Sequence, residues 1–316
     1  MSNSVYLTGW RLKALILSVV GSALGYLGFS LWAGGAEILK AVSNVGLGGL
    51  LLALSMSCLN YALRFSRWQL YLKVLGEKVG AKDSFEIYIA GFALTTTPGK
   101  AGEALRGVFL KPLGVGYDKS FAVFISERLS DLCGVVALAL LGISMYPQAR
   151  SIVFVVAGIV TIGLAVLTSR TVINWIGVAA DKSRGRIKSL LTSLYRMSVA
   201  AYDCHRPLVL ASALIISIFA WGAEALAFYW ILEFMGADIP LQIAIFIYAL
   251  AMLAGAVSFM PGGLGGAEAV MVGLLTWKGM PVPDAVAATV LIRLATLWFA
   301  VAIGAIMLVK RGKILK

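Results

Sequence analysis

Apolar runs as long as a bilayer is thick, two of them interrupted by proline and glycine, constrain this chain more than any other feature. A hydrocarbon core of about 30 Å needs about 20 apolar residues per helix. Runs of that order occupy Ala14 to Trp32, Val45 to Leu63, Phe121 to Met145, Ile152 to Thr168, Leu208 to Leu232 and Ala285 to Val309. Only 13% of the residues are charged and 60% are hydrophobic, whereas a soluble domain carries about 25% charged residues to coat its surface. The chain therefore reads as an all-α integral membrane protein with about six full spans. A soluble enzyme and a nucleic-acid binder are excluded. Arg11 and Lys13 before the first run, and Ala33-Gly-Gly-Ala36 after it, resemble a signal peptide. The run exceeds an h-region of about 7 to 15 residues, however, so a retained helix is expected.

Two further stretches are apolar but broken. Phe85 to Leu110 is interrupted by Pro98-Gly99-Lys100, and Leu241 to Trp277 by Pro261-Gly262-Gly263. Such breaks free backbone groups that lipid cannot satisfy, so they are tolerated only where protein or water surrounds them. Two re-entrant helical hairpins follow. Leu241 to Met260 is long enough to cross, so eight crossings remain possible with the same loop parity. Threading six spans with both termini in the cytoplasm leaves only Lys40, Arg150 and Lys278 outside, with Lys100, Arg128 and Arg293 at membrane depth. The remaining basic residues, including Arg64, Arg67, Lys73 and Lys78, fall inside, as the positive-inside rule requires. A bacterial inner membrane or an archaeal plasma membrane is the expected location.

A shift of 165 positions aligns Glu103 with Glu268, Gly114 with Gly279 and Arg128 with Arg293. Each half reads as helix, helix, broken hairpin, helix, an odd number of crossings, so the second copy inserts from the opposite side. That predicts two inverted-topology repeats, residues 1–146 and 147–316. The second repeat includes a cytoplasmic amphipathic linker helix near 181–202, with Ile187, Leu190, Leu191, Leu194 and Ala201 on one face.

Ionisable side chains at membrane depth cost several kcal/mol and are functional candidates by default. They are Lys100, Glu103, Glu127, Arg128 and Asp131 in the first half, with Arg106 near the hairpin exit, and Glu224, Glu268 and Arg293 in the second. Arg128 lies one residue from Glu127 and three from Asp131, so a structural ion network and a guanidinium presented to an anion both fit. Loss of Arg128 is expected to act mainly on stability. Arg293 has no carboxylate within four residues of its own helix and needs either Glu268 or a ligand. Helix restarts just after Pro98 and Pro261 would leave Glu103 and Glu268 either as caps or as proton-sensitive gates of one central anion site. Glu224 could pair with Arg293 or carry a coupling proton. Cys58, Cys133, Cys204 and the single His205 offer no metal spacing and no catalytic triad. No cofactor or metal is expected.

Pro98-Gly-Lys-Ala-Gly-Glu103-Ala-Leu-Arg106, Glu127-Arg128-xx-Asp131, Pro261-Gly-Gly-Leu-Gly-Gly-Ala-Glu268 and Arg293, in this order, resemble the motifs of the lysylphosphatidylglycerol synthase transmembrane family. That domain occurs alone or fused to an aminoacyl-lipid synthase, and the fused transferase half is not expected here. The resemblance implies a lipid flippase that moves an anionic phospholipid or a lipid-linked phosphate or glycan between leaflets, with membrane lipid as its partner. By the same resemblance Glu103, Arg106, Arg128, Asp131, Glu268 and Arg293 line its site. Gly266 departs from the small branched residue expected there. The competing readings are a membrane-embedded headgroup or glycan transferase, with Glu103, Asp131 or Glu268 as acid or base, and a proton-coupled solute transporter using Glu224.

Overall fold

The computed structural model describes residues 10–314 except Met145 and Phe259. Every regular element among the described residues is helical. The order is α1 (Trp10–Val74), α2 (Ala81–Phe92), α3 (Arg106–Leu110), α4 (Tyr117–Gly142), α5 (Arg150–Thr168), α6 (Arg170–Lys182) and α7 (Gly185–Cys204). There follow α8 (Pro207–Phe234), α9 (Leu241–Val257), α10 (Gly266–Trp277), α11 (Val282–Arg293) and α12 (Phe299–Ile314).

The 65 residues of α1 hold the first two expected spans. Gly46 sits at φ 62°, a left-handed conformation that glycine adopts without a Cβ clash, and the chain reverses there. Tyr26 packs at a tilt against Trp298, with ring centroids 5.3 Å apart, while the Tyr61 hydroxyl donates to the Thr296 carbonyl at 2.6 Å. A straight helix would hold these two tyrosines about 50 Å apart at about 1.5 Å per residue, so meeting one turn of a third helix requires that the two arms run antiparallel. The second arm continues as helix to Val74, well beyond the apolar run that ends at Leu63.

Length and composition qualify Gly35–Val74, Pro147–Thr168, Pro207–Phe234 and Val282–Arg311 as spans. The 26-residue α4 is also long enough to cross, although Glu127, Arg128 and Asp131 interrupt its apolar sequence. On α5, Ile152, Phe154, Val155, Ile159 and Ile162 are exposed, as expected of a helix facing lipid. In lipid, helices associate through close packing more than through a hydrophobic drive, and small residues mark the contacts. A Cβ on Gly134 of α4 would lie 2.9 Å from Ser217 Cβ on α8, and one on Gly304 of α12 would lie 2.7 Å from the Phe92 carbonyl carbon on α2. Each helix approaches its neighbour too closely to tolerate a larger side chain.

Both broken stretches fold as hairpins. The arms of the second, α9 with 17 residues and α10 with 12, reach about 25 and 18 Å at about 1.5 Å per residue. Neither crosses a core of about 30 Å, which favours the re-entrant arrangement over two extra crossings. The first hairpin starts at the end of the bundle where Arg311 of α12 pairs with Asp83 and Glu86. The second starts at the other end, where residues of α1, the α8–α9 turn and the start of α11 enclose a polar cleft. Their tips meet in the middle. Gly262, at φ 65°, sits where a Cβ would come 3.6 Å from Thr96 Cα and 3.4 Å from Leu297.

One local expectation is corrected. The chain does not resume α-helix directly after Pro98, because residues 98–105 form a tighter 3-10 turn and α3 begins at Arg106. Over the expected linker, 181–202, the structure has one helix, α7, and a separate helix α6 precedes it, capped by Ser169 Oγ accepting from Val172 N at 3.3 Å. On α7, Ile187, Leu190 and Leu194 are exposed while Ala201 is buried. Cys204, at the end of α7, is fully buried, and burial pushes its thiol up to about 12, so it is a poor target for surface labelling.

Candidate functional site

Helical spacing builds the site from α1 and α4. Arg64 and Arg67 are three apart on α1 and share a face, which the fold turns toward Asp131 on α4. Arg67 donates to Asp131 Oδ1 at 2.8 Å and Arg64 to Oδ2 at 3.2 Å. Arg128, three residues before Asp131 on α4, adds a third guanidinium at 3.1 Å. The Trp221 indole N–H donates to Oδ1 at 3.1 Å, and Arg67 also donates to the Ser217 hydroxyl. Charge-assisted bonds of this kind are roughly twice as strong as neutral ones.

Arg128 also reaches Glu103 Oε2 at 3.3 Å and so ties α4 to the first hairpin. Glu103 accepts from Thr95 Oγ1 at 3.0 Å and from Arg106 at 3.0 Å. The same Arg106 NH2 lies 2.9 Å from Glu127 Oε2, and the guanidinium lies over the rings of Trp68 and Tyr88, at 4.7 and 5.1 Å, a favourable placement for a desolvated guanidinium. Glu127 and Asp131 share a helix face, yet they serve different arginines.

The second hairpin is held by Arg293. Its Nε lies 2.7 Å from Glu268 Oε1, and its NH2 donates to the Gly262 carbonyl at 2.7 Å. Glu268 Oε2 in turn accepts from the Gly265 backbone N–H at 2.6 Å, closing the exposed start of α10 as a cap should. Of the two partners left open for Arg293, the structure supplies the glutamate. Directly after Arg293 the helix loosens into a π turn, Leu294–Trp298. Such turns recur at functional sites, and here the Thr296 carbonyl accepts a hydrogen bond from the Tyr61 hydroxyl. On α8, Glu224 accepts from the Tyr248 hydroxyl at 2.5 Å.

These groups surround one cavity of about 300 Å³. Arg64, Arg128, Asp131, Glu224 and Arg293 line it, with Tyr61, Thr95, Tyr248 and Thr296 between them and Gly255, Gly262 and Gly263 forming part of its wall. Glu103, Arg106, Glu127 and Glu268 stand behind this lining and hold it. The Lys100 side chain lies outside the described residues. Arg64 and Arg67, assigned to the cytoplasmic side from the sequence, are 5% and 0% exposed inside the bundle. Tyr61, Trp68 and Tyr71 at helical spacing around them were the available signal that the helix continues. Among the described residues no cluster of metal-ligating side chains occurs.

The carboxylates at the two hairpin tips should respond differently to amide replacement. Glu103 is 2% exposed between two arginines, so Glu103→Gln should lose about 3 kcal/mol or more. Glu268 is less buried and doubles as a backbone cap, a role that an amide oxygen retains, so Glu268→Gln should lose about 1 kcal/mol. Thermal melting of both variants in detergent checks the order, and equal losses would contradict it.

A helical bundle with two opposed broken hairpins and a charged cavity at their tips defines a class, the multi-pass membrane protein with a polar site inside its bundle. The chain belongs to the family of the lysylphosphatidylglycerol synthase TM region, whose sequence profile matches residues 15–304. It is 25% identical to "UPF0104 membrane protein PH1989" of Pyrococcus horikoshii, over 96% of this chain and 99% of that protein. It is 28% identical to a "UPF0104 membrane protein" of Methanothermobacter thermautotrophicus, over 92% and 94% of the two chains.

Proposed function

We propose that this protein is a lipid translocase that carries an anionic phospholipid, or another lipid with a phosphate headgroup, between leaflets through the cavity at the hairpin tips. The observation that carries the reading is the convergence of Arg64, Arg128 and Arg293 on one cavity at the middle of the bundle. Guanidinium forks match phosphate oxygens bidentately and stay charged in any surroundings. A headgroup crossing about 30 Å of hydrocarbon needs such a polar station part-way. The volume of about 300 Å³ is at the lower end for ligand sites, which suits a phosphate with a small substituent better than an extended glycan. The family's description as the transmembrane region of a lipid synthase agrees with a lipid substrate.

The reading includes two inverted halves, residues 1–146 and 147–316, working against each other, with both termini in the cytoplasm of a bacterial or archaeal cell. Supporting the repeat, Gly114 and Gly279 occupy equivalent positions in the 165-residue shift and both turn the chain at φ 92°. Hairpins that start from opposite ends of the bundle and meet at their tips are what such a repeat produces.

The experiment is direct. Purified protein is reconstituted into phosphatidylcholine liposomes containing a trace of nitrobenzoxadiazole-labelled phosphatidylglycerol, and membrane-impermeant dithionite is added. A translocase should expose the inner-leaflet label to quenching, and Arg128→Gln should slow that phase at least tenfold. Quenching confined to the outer leaflet would refute the reading. Chemically altered lipid recovered from the vesicles would favour the transferase alternative instead.

A further inference from the structure

Two pairs of turns, one pair at each end of the bundle, share a backbone and differ in their side chains. Gly76 and Gly236, 160 positions apart, turn the chain at φ 74° and 76°. Directly after them Glu77 N donates to the Leu72 carbonyl at 2.9 Å and Ala237 N to the Leu232 carbonyl at 3.0 Å. Gly114 and Gly279 make the other turn of each pair, and α4 and α11 begin three residues beyond them. In the first half Lys119 Nζ donates to Glu77 Oε1 at 2.5 Å and to the Leu75 carbonyl at 3.1 Å, which ties the two turns together. The same shifts, 160 and 165, put Ala237 where Glu77 stands and Asp284 where Lys119 stands. Neither partner of the tie is present in the second half, and its turns border an open polar cleft of about 320 Å³.

We propose that this cleft binds a zwitterionic group with an ammonium and a phosphate a few bonds apart, the headgroup of an ethanolamine phospholipid. Lys40 of α1 and Lys278 after α10 bring positive charge to it, and Asp238 before α9 and Asp284 on α11 bring negative charge. Among the described residues none of these four side chains is in a salt bridge or a side-chain hydrogen bond. Charges of both signs thus share one cleft without neutralising one another. An ammonium can donate to the aspartates while a phosphate accepts from the lysines. A simple anion would meet two carboxylates there, and a simple cation two ammonium groups. A group that carries both charges avoids either repulsion.

The volume is at the lower end for ligand cavities, which suits a headgroup better than an extended molecule. Surroundings favour a lipid as its source. Phe234, Trp277 and Val282, on the elements that border the cleft, are exposed, and Lys278 Nζ lies 4.6 Å from the centre of the Trp277 ring. Exposed aromatic residues at the ends of spans mark the level of the headgroups. A phospholipid at that level brings its headgroup to the cleft with its acyl chains against the apolar flank. Nothing in this assignment depends on translocation through the central cavity.

The test is binding by calorimetry to the purified full-length protein in detergent. The probes are dihexanoyl-phosphatidylethanolamine, soluble phosphoethanolamine, and the half-ligands ethanolamine and inorganic phosphate. The short-chain lipid should bind, and each half-ligand should bind at least about tenfold more weakly. Lys278→Gln and Asp284→Asn should each weaken the lipid about tenfold. Ala237→Glu combined with Asp284→Lys rebuilds the tie of the first half and should abolish binding while the melting temperature stays at or above wild type. If that double variant fails to fold, the two single variants decide. Lipid binding unmoved by the single variants places the lipid elsewhere and overturns the site. Failure of wild type to bind the lipid, or inorganic phosphate binding as tightly, overturns it too. Phosphoethanolamine binding as tightly as the lipid, with the same response to the variants, upholds the zwitterion site and overturns the lipid as its source.

Discussion

Asp131→Asn should produce the largest loss of stability of any single substitution in the site. The asparagine keeps the shape and one acceptor oxygen, but it removes the charge on which three guanidinium groups converge at 3.2 Å or less. Arg64 and Arg67 are almost completely buried. Removing one partner of a single buried ion pair typically costs about 3 to 5 kcal/mol, and here two or three arginines lose theirs together. The expected outcome is protein that fails to accumulate, or that melts far below wild type by tryptophan fluorescence in detergent. Arg128→Gln, measured alongside, should be much milder. Its carboxylate neighbours keep other arginines, Arg106 for Glu103 and both Arg64 and Arg67 for Asp131, and Arg128 itself is 19% exposed at the cavity. This reverses the expectation from the sequence, which made Arg128 the structural arginine because it counted only the carboxylates on the same helix. A near-normal melting temperature for Asp131→Asn would mean that water reaches the three arginines and that the cluster is not the rigid element described.

The membrane fold was legible because lipid imposes a length and a hydropathy that single residues cannot disguise. The spans from Ile152 and Leu208 each fall within a helix of the structure, that from Ala285 runs from α11 through the π turn into α12, and the proline and glycine breaks mark both hairpin tips. The site was legible only in part. Glu103, Arg128, Asp131, Glu268 and Arg293 stand out as charges inside apolar runs, and all five belong to the cluster. Arg64 and Arg67 did not, because hydropathy ends a span at the last apolar residue. The helix ends only where its hydrogen bonding ends, at Val74, and arginines beyond Leu63 look like a cytoplasmic edge. Their burial is decided by a carboxylate 64 positions away from Arg67, which no local pattern contains. The π turn after Arg293 was equally hidden, since Leu-Ala-Thr-Leu-Trp is ordinary helical sequence. Its register reflects packing of Tyr61 and Tyr26 against that turn. The 3-10 turn over residues 98–105 falls between these cases. Proline announced a break, but the distance to the next α-helix depends on how Glu103 meets Arg106 and Arg128.

Arg293→Lys should leave a folded protein whose translocation of labelled phosphatidylglycerol falls at least tenfold. Arg293 does two things with one planar group. Nε faces Glu268, which caps α10, while NH2 holds the Gly262 carbonyl at the meeting point of the tips. The guanidinium thus fixes the backbone of the second hairpin relative to its own helix while still lining the cavity. A lysine ammonium keeps the charge, so Glu268 is not stranded and the loss of stability should stay near about 1 kcal/mol. One nitrogen on a flexible stem cannot span both acceptors in the fixed geometry of the fork. The tip then loses its register with the arginines across the cavity, and a phosphate bridging them loses one arm of its clamp. Melting and dithionite quenching on the same preparation separate the two effects. Normal stability with normal translocation would show that Arg293 acts only as a counter-ion for Glu268. Equal damage to both would make it a structural tie with no separate part in headgroup binding.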